Sequence, residues 1–222
     1  MLKEFKRYFA SSVYVTNTII GPVLGMVFAA LYGFVDFETY LGLPIDLSSI
    51  IPYIVVAMFV MMTPTSVSLS MEGKEWWIIK SLPVSAKKIV DSKLLMTFLL
   101  ILPFFIVSEL SLIFALKQSF LENILMIFLS LTLLVFSIVF GFWMNTKFCR
   151  FDWQNDAEVV KQSMAALFGG MGGMLVSVCV VGILFCISPN SHLIVKLILI
   201  IGLMFMTHLI YKKCINIKFE TL

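Results

Sequence analysis

Apolar residues fall in six long runs, near Val13–Val35, Ile50–Leu69, Leu94–Leu116, Ile124–Met144, Met164–Ile187 and Leu193–Tyr211, separated by shorter polar stretches. Each run matches the ~20 residues that an α-helix needs to cross hydrocarbon. A membrane strand needs only about ten, and lipid offers backbone groups no partner, so the runs are read as helices whose hydrogen bonds close internally. The pattern predicts an all-α integral membrane protein with six transmembrane helices and one domain over residues 1–222.

The polar stretches orient the bundle. With the N-terminus cytoplasmic, fourteen of the 16 basic residues lie inside: Lys3, Lys6 and Arg7; Lys74, Lys80, Lys87, Lys88 and Lys93; Lys147, Arg150 and Lys161; Lys212, Lys213 and Lys218. The other two, Lys117 and Lys196, sit at outer span ends, where a long side chain can snorkel. The first outer loop holds Asp36, Glu38 and Asp46 and no base. Both termini are therefore expected inside. The inner connections, 70–93 and 145–163, are each long enough for a helix, whereas the outer connections 117–123 and 188–192 are short. Polar length concentrated on one side suits docking there; a merely solvated pair of loops is the plainer alternative.

Composition narrows the function. Of 222 residues, 60% are hydrophobic and 13% charged, where a soluble domain carries roughly 25% charge. Little length remains for an attached ATPase, kinase or protease module, and no GxxxxGK[ST] phosphate loop is present. A net charge of +3 does not point to nucleic acid. Cys149, Cys179, Cys186 and Cys214 lack metal-ligand spacing and read as structural thiols. The basic, aromatic N-terminus runs into a long apolar stretch, which reads as a retained first span rather than a cleaved signal.

Individual residues add chemistry. In 70–93, the apolar pattern Trp76, Trp77, Ile79, Leu82 predicts a short amphipathic helix, Pro83 breaks it, and Ser85 is placed to cap a second short helix over 86–92. Such a unit docks a partner, or anchors at the headgroups with Trp and Lys. Glu109 is the single acid deep within a span, sixteen residues after Lys93 and eight before Lys117, which at about 1.5 Å per residue places it in the outer half of the bilayer. It reads equally as a proton or cation site and as a neutral carboxyl hydrogen-bonded to a neighbour. Gly21 with Gly25, and Gly169 with Gly173, have the GxxxG spacing of close helix packing. Pro22 and Pro103 predict kinks in spans one and three.

Three segments carry a family resemblance. Glu72-Gly73, then Trp76-Trp77-Ile78-Ile79-Lys80-Ser81-Leu82-Pro83-Val84-Ser85, then Lys93 before an apolar run, resembles the loop between the second and third spans of bacterial ABC type-2 exporter permeases. The stretch from Lys3 to Thr18 looks like the amphipathic elbow (residues 1–12) and first-span entrance of those permeases, and that from Phe151 to Ser163 is similar to their loop between spans four and five. The resemblance implies a permease subunit of an ATP-driven exporter in the bacterial plasma membrane. Residues 70–93 would be the coupling loop, bearing on a separate cytoplasmic ATP-binding subunit that carries the ATP, with no cofactor in this chain. Permeases of that group are often twice this length, and this chain matches the later half. A second six-span half, itself or a homologue, is thus an implied partner along with the bilayer.

Two other classes compete. A stand-alone ion- or proton-coupled transporter or channel would use Glu109, and would usually show several intramembrane polar residues and broken helices in matching positions of internal repeats; one carboxylate and no convincing repeat are found. A membrane enzyme would need clustered His, Asp or Ser at one membrane face, and no such cluster is present. The chain is read as a non-enzyme.

Overall fold

The computed structural model describes residues 1–35, 47–81, 83–188 and 191–217. The acidic outer loop with Asp36, Glu38 and Asp46, the Leu82 of the short amphipathic helix, and Lys218 lie outside the described residues. Among the described residues the elements are α1 (Leu2–Ala10), α2 (Ser12–Tyr32), α3 (Ile51–Val60), α4 (Trp76–Ser81), α5 (Ala86–Leu116), α6 (Phe120–Lys147), α7 (Asp156–Gln162), α8 (Met164–Cys186) and α9 (His192–Ile215), with 3₁₀ turns at Pro64–Ser66 and Ser70–Glu75. Among the described residues, six stretches are long and apolar enough to span a membrane: Ser12–Tyr32, Ile51–Ser81, Ala86–Leu116, Phe120–Lys147, Asp156–Cys186 and His192–Ile215.

Local chemistry sets several boundaries. Ser11 accepts from the Tyr14 amide at 3.3 Å and so separates α1 from α2. Ser119 and Glu122 form a reciprocal capping box that starts α6, after Lys117 has turned the chain in the left-handed region at φ 49°. Asn155 and Ser163 cap α7 and α8 through the amides of Ala157 and Ala166. Pro22 and Pro103 both lie inside helices.

The bundle has a centre and a periphery. The window of span two is 72% buried and that of span four 61%, against 17% for span six. α6 packs on α8, α9 and α3, while α2 packs on α3 and α5. The core gathers Tyr53, Val56 and Phe59 of α3, Ile101 and Phe105 of α5, and Leu129 and Leu133 of α6. The predicted glycines sit at backbone crossings. A Cβ on Gly21 would lie 2.3 Å from the Met58 carbonyl oxygen, and one on Gly25 2.6 Å from the Phe59 ring. A Cβ on Gly169 would lie 2.5 Å from Ser66 Oγ, and one on Gly173 2.8 Å from Ser137 Oγ.

Three expectations are corrected. Span two is not one helix over Ile50–Leu69: α3 stops at Val60, and the chain continues through Thr63-Pro64 and two 3₁₀ turns to α4. Pro64 removes one donor and holds Thr63 extended at ψ 138°. The short helix expected at 86–92 is the first part of a continuous 31-residue α5. Lys196 does not project freely from its span end; it is 3% exposed, buried on α9.

Candidate functional site

The break in span two leaves a run of non-α-helical backbone among packed spans, and its polar groups find partners from every side. Tyr14 of α2 donates to the Pro64 carbonyl at 2.7 Å. Thr65 donates to the Ile138 carbonyl of α6 at 2.8 Å, and the Thr63 and Ser66 hydroxyls lie 2.9 Å apart. Asn145, near the end of α6, accepts from the amides of Leu69 at 2.6 Å and Ser70 at 3.2 Å and donates to Ser70 Oγ at 2.7 Å. Trp153 Nε1 donates to the Ser70 carbonyl at 2.8 Å. Irregular backbone at membrane depth is tolerated only where protein supplies such partners. Close approach on the other side needs glycine: a Cβ on Gly170 would meet the Met61 carbonyl oxygen at 2.3 Å.

At the end of this segment lies a buried ion cluster. Lys93, fully buried on α5, donates to Glu72 Oε1 at 2.7 Å, to Glu4 Oε2 at 2.9 Å and to the Ser68 carbonyl at 2.9 Å. These three bonds use all three of its protons. Arg7 of α1 pairs with Glu72 as well, and its guanidinium lies 3.9 Å from Glu4. Lys3 approaches Glu72 Oε2 at 3.8 Å from the exposed side. Glu4 and Glu72 against Arg7 and Lys93 make the buried set neutral. The cluster ties α1, the broken segment and the head of α5 into one unit. A cleft of about 640 Å³ opens beside it, lined by Arg7, Glu72, Gly73, Lys74 and Trp153.

Gly73 follows at once, in the left-handed region with φ 54° and with the Trp153 ring 2.8 Å from where a Cβ would lie. This turn launches α4, on which the two tryptophans diverge. Trp76 is 5% exposed and stacks on Phe151 with ring centroids 5.1 Å apart, whereas Trp77 is 66% exposed. The expectation that Trp76 and Trp77 share one apolar face is therefore corrected: Trp76 belongs to the core, and Trp77 projects with exposed Lys74 and Lys80 on either side in sequence. Pro83 and Ser85 are exposed, and Ser85 caps α5 by backbone conformation without a side-chain bond. Burial pushes the Cys149 thiol up to about 11, so it is protonated at neutral pH and inert.

Glu109 stands apart from this cluster. It is 5% exposed on α5, with Ser130 of α6 and Tyr53 of α3 as its polar neighbours. The Tyr53 hydroxyl and Glu109 Oε2 have no hydrogen-bond partner. Sequence reasoning singled out Glu72, Gly73, Lys93 and Glu109 but missed Glu4, Arg7 and Asn145 as members of a site. Their one-dimensional signal is faint: a charged pair one helical turn apart in a short N-terminal helix, and an amide at the end of an apolar run.

An all-helical bundle with six membrane-length apolar stretches, glycine-tight crossings and a protein-lined break in one span defines a multi-span integral membrane protein. Within that class the chain belongs to a family of membrane proteins of 12 TMs, whose model it matches over residues 1–213. No curated protein and no solved structure matches the chain.

Proposed function

We propose that the chain is a permease subunit of an ATP-driven exporter in a bacterial plasma membrane, working with a second six-span half and a separate cytoplasmic ATP-binding subunit. The observation that supports this reading best is the mounting of α4: a short helix with exposed Trp77 and Lys80, preceded by exposed Lys74, follows directly on the Glu4–Arg7–Glu72–Lys93 cluster that joins α1, the broken segment of span two and the head of span three. A lever must be rigid to transmit force, and a largely buried cluster in which each acid faces a base supports that rigidity. ATP binding would draw two ATPase subunits together. The displacement of α4 would pass through the broken segment to α3 and α8, which pack on each other, and shift access to a central pathway.

Co-purification with the tagged chain tests the partner. A nucleotide-binding ATPase should be recovered, and Trp77→Ala should lower its affinity by about thirty-fold, the equivalent of ~2 kcal/mol for an aromatic anchor. Trp76→Ala should instead lower the stability of the chain itself by roughly 3 kcal/mol, the loss expected for a buried aromatic. Unchanged ATPase recovery with Trp77→Ala would refute the docking role. Orientation is tested separately by single-cysteine labelling of intact cells: positions 80 and 147 should be protected from an impermeant maleimide and position 118 labelled, and the reverse pattern would invert the topology.

A second reading is a stand-alone ion- or proton-coupled transporter, favoured by the buried Glu109 with Tyr53 and Ser130 beside it and by the broken span. In this reading Glu109→Gln abolishes transport by reconstituted protein without lowering its yield. In the exporter reading the amide can replace a neutral carboxyl, and ATP-dependent transport stays within about twofold.

A further inference from the structure

Spans three, four and six enclose a groove of about 810 Å³ that the exporter reading does not use. Its size lies within the ~300–1,000 Å³ of ligand cavities. The floor is Ile138 and Val139 of α6, both buried, and the rims carry exposed Leu95, Phe128 and Met204. At one end the lining becomes polar: Asp91 of α5 and His208 and Tyr211 of α9 gather there, and the Tyr211 hydroxyl donates to Asp91 Oδ1 at 2.7 Å.

Two features of the groove specify the occupant. The lining on α6 runs from Phe128 to Val139, about 16 Å of helix at 1.5 Å per residue, which is the depth of one leaflet of a ~30 Å hydrocarbon core. Just beyond the polar end, Lys87 and Lys88 lie four and three residues before Asp91 on α5, and Lys212 lies four after His208 on α9. These spacings put them on the same helix faces as the groove, and all three are exposed. We propose that this groove binds one phospholipid from the leaflet on the lysine-rich side, with an acyl chain against Ile138 and Val139 and the phosphate held by Lys87, Lys88 and Lys212. Basic residues at the inner ends of neighbouring spans recognise lipid phosphate in this way. A purely apolar molecule leaves the lysine lip without a partner. A transmembrane helix of a second copy would cover Asp91 and His208 with hydrocarbon. The inference is independent of the ATPase reading.

The test uses the full chain in vesicles of phosphatidylethanolamine and phosphatidylglycerol doped with a phospholipid that carries a photoactivatable diazirine at mid-chain. Adducts should concentrate on Phe98, Leu131 and Val135, well above Ile194, Ile201 and Phe205 on the exposed face of α9. Each of Lys87→Gln, Lys88→Gln and Lys212→Gln should lower groove labelling by about fivefold, the equivalent of ~1 kcal/mol per basic residue at a lipid surface. These exposed substitutions leave the apolar core intact, and Leu131→Trp should block labelling by filling the groove. Equal labelling of groove and control positions, or equal labelling by a diazirine diacylglycerol without phosphate, would overturn the proposal. Chain-to-chain cross-links through Leu131 and Val135 without lipid adducts would overturn it in favour of a second copy.

Discussion

Replacing Lys93 by Met should destabilise the protein by about 3 kcal/mol, the lower end of the cost of breaking a buried ion pair from one side. Methionine fills much of the space of the lysine stem but gives no proton to Glu72, Glu4 or the Ser68 carbonyl, which all lose a bond of 2.7 to 2.9 Å. The loss stays near the lower end because Arg7 still pairs with Glu72. Removing acid and base together, in Lys93→Met with Glu72→Gln, should recover part of the loss, since the acidic excess left by Lys93→Met is removed and Glu4 and Arg7, 3.9 Å apart, balance each other. The measurement is a chemical unfolding midpoint in detergent micelles at constant slope, with the double-mutant cycle giving the coupling. A midpoint within about 0.5 kcal/mol of the parent, the range of an ordinary surface substitution, would mean that the cluster does not hold the elbow to the bundle.

Why this cluster escaped the sequence reading, while the six spans did not, follows from how each is encoded. A span is a local property: about twenty consecutive apolar residues commit the backbone to a helix whatever packs around it. Glu4 and Lys93 are 89 residues apart and Glu72 and Lys93 are 21 apart, so only the packing of α1, the broken segment and α5 brings them together. The break in span two was more legible than the reading allowed. Thr63-Pro64-Thr65-Ser66 followed by Ser68 and Ser70 joins a proline to side chains that compete for backbone hydrogen bonds. Hydropathy averages hid it because Met61, Met62, Val67 and Leu69 keep the window apolar. The divergence of Trp76 and Trp77 turns on helix phase: two adjacent residues lie about 100° apart, and six residues of α4 are too few for periodicity to say which one faces Phe151.

Two neighbouring points of the broken segment are held differently, and this bears on how α4 could act as a lever. At Glu72 the hold is ionic and involves α1 and span three; at Leu69 and Ser70 it is a set of neutral hydrogen bonds from span four. A push on α4 therefore reaches α1 and α5 through charge and the central helix α6 through Asn145. Substitutions at the two holds should differ in which amides become exchangeable, and the charge hold should weaken with salt only at its exposed rim, where Lys3 faces Glu72 and Glu75 lies 4.0 Å from Arg7.

Asn145→Ala should be the most damaging single substitution in α6, at about 3–5 kcal/mol. The side chain is fully buried and serves three groups at once: the Leu69 amide, the Ser70 amide and Ser70 Oγ. Alanine leaves two backbone N–H groups without partners where water does not reach, and each such orphan costs about 1–3 kcal/mol; the small cavity adds to this. Asn145→Asp separates hydrogen bonding from packing. Its carboxylate still accepts from both amides, and the Ser70 hydroxyl can turn to donate to it, giving up the long 3.8 Å contact with Cys149 Sγ. Aspartate should therefore recover more than half of the alanine loss despite the desolvation of its charge, because amide donors stabilise a buried carboxylate. Hydrogen exchange provides the local readout: the amides of Leu69 and Ser70 should exchange far faster in Asn145→Ala than in the parent, and near the parent rate in Asn145→Asp. Equal stability of parent and alanine variants, or exchange at these two amides that does not distinguish alanine from aspartate, would show that α6 does not clamp the broken span.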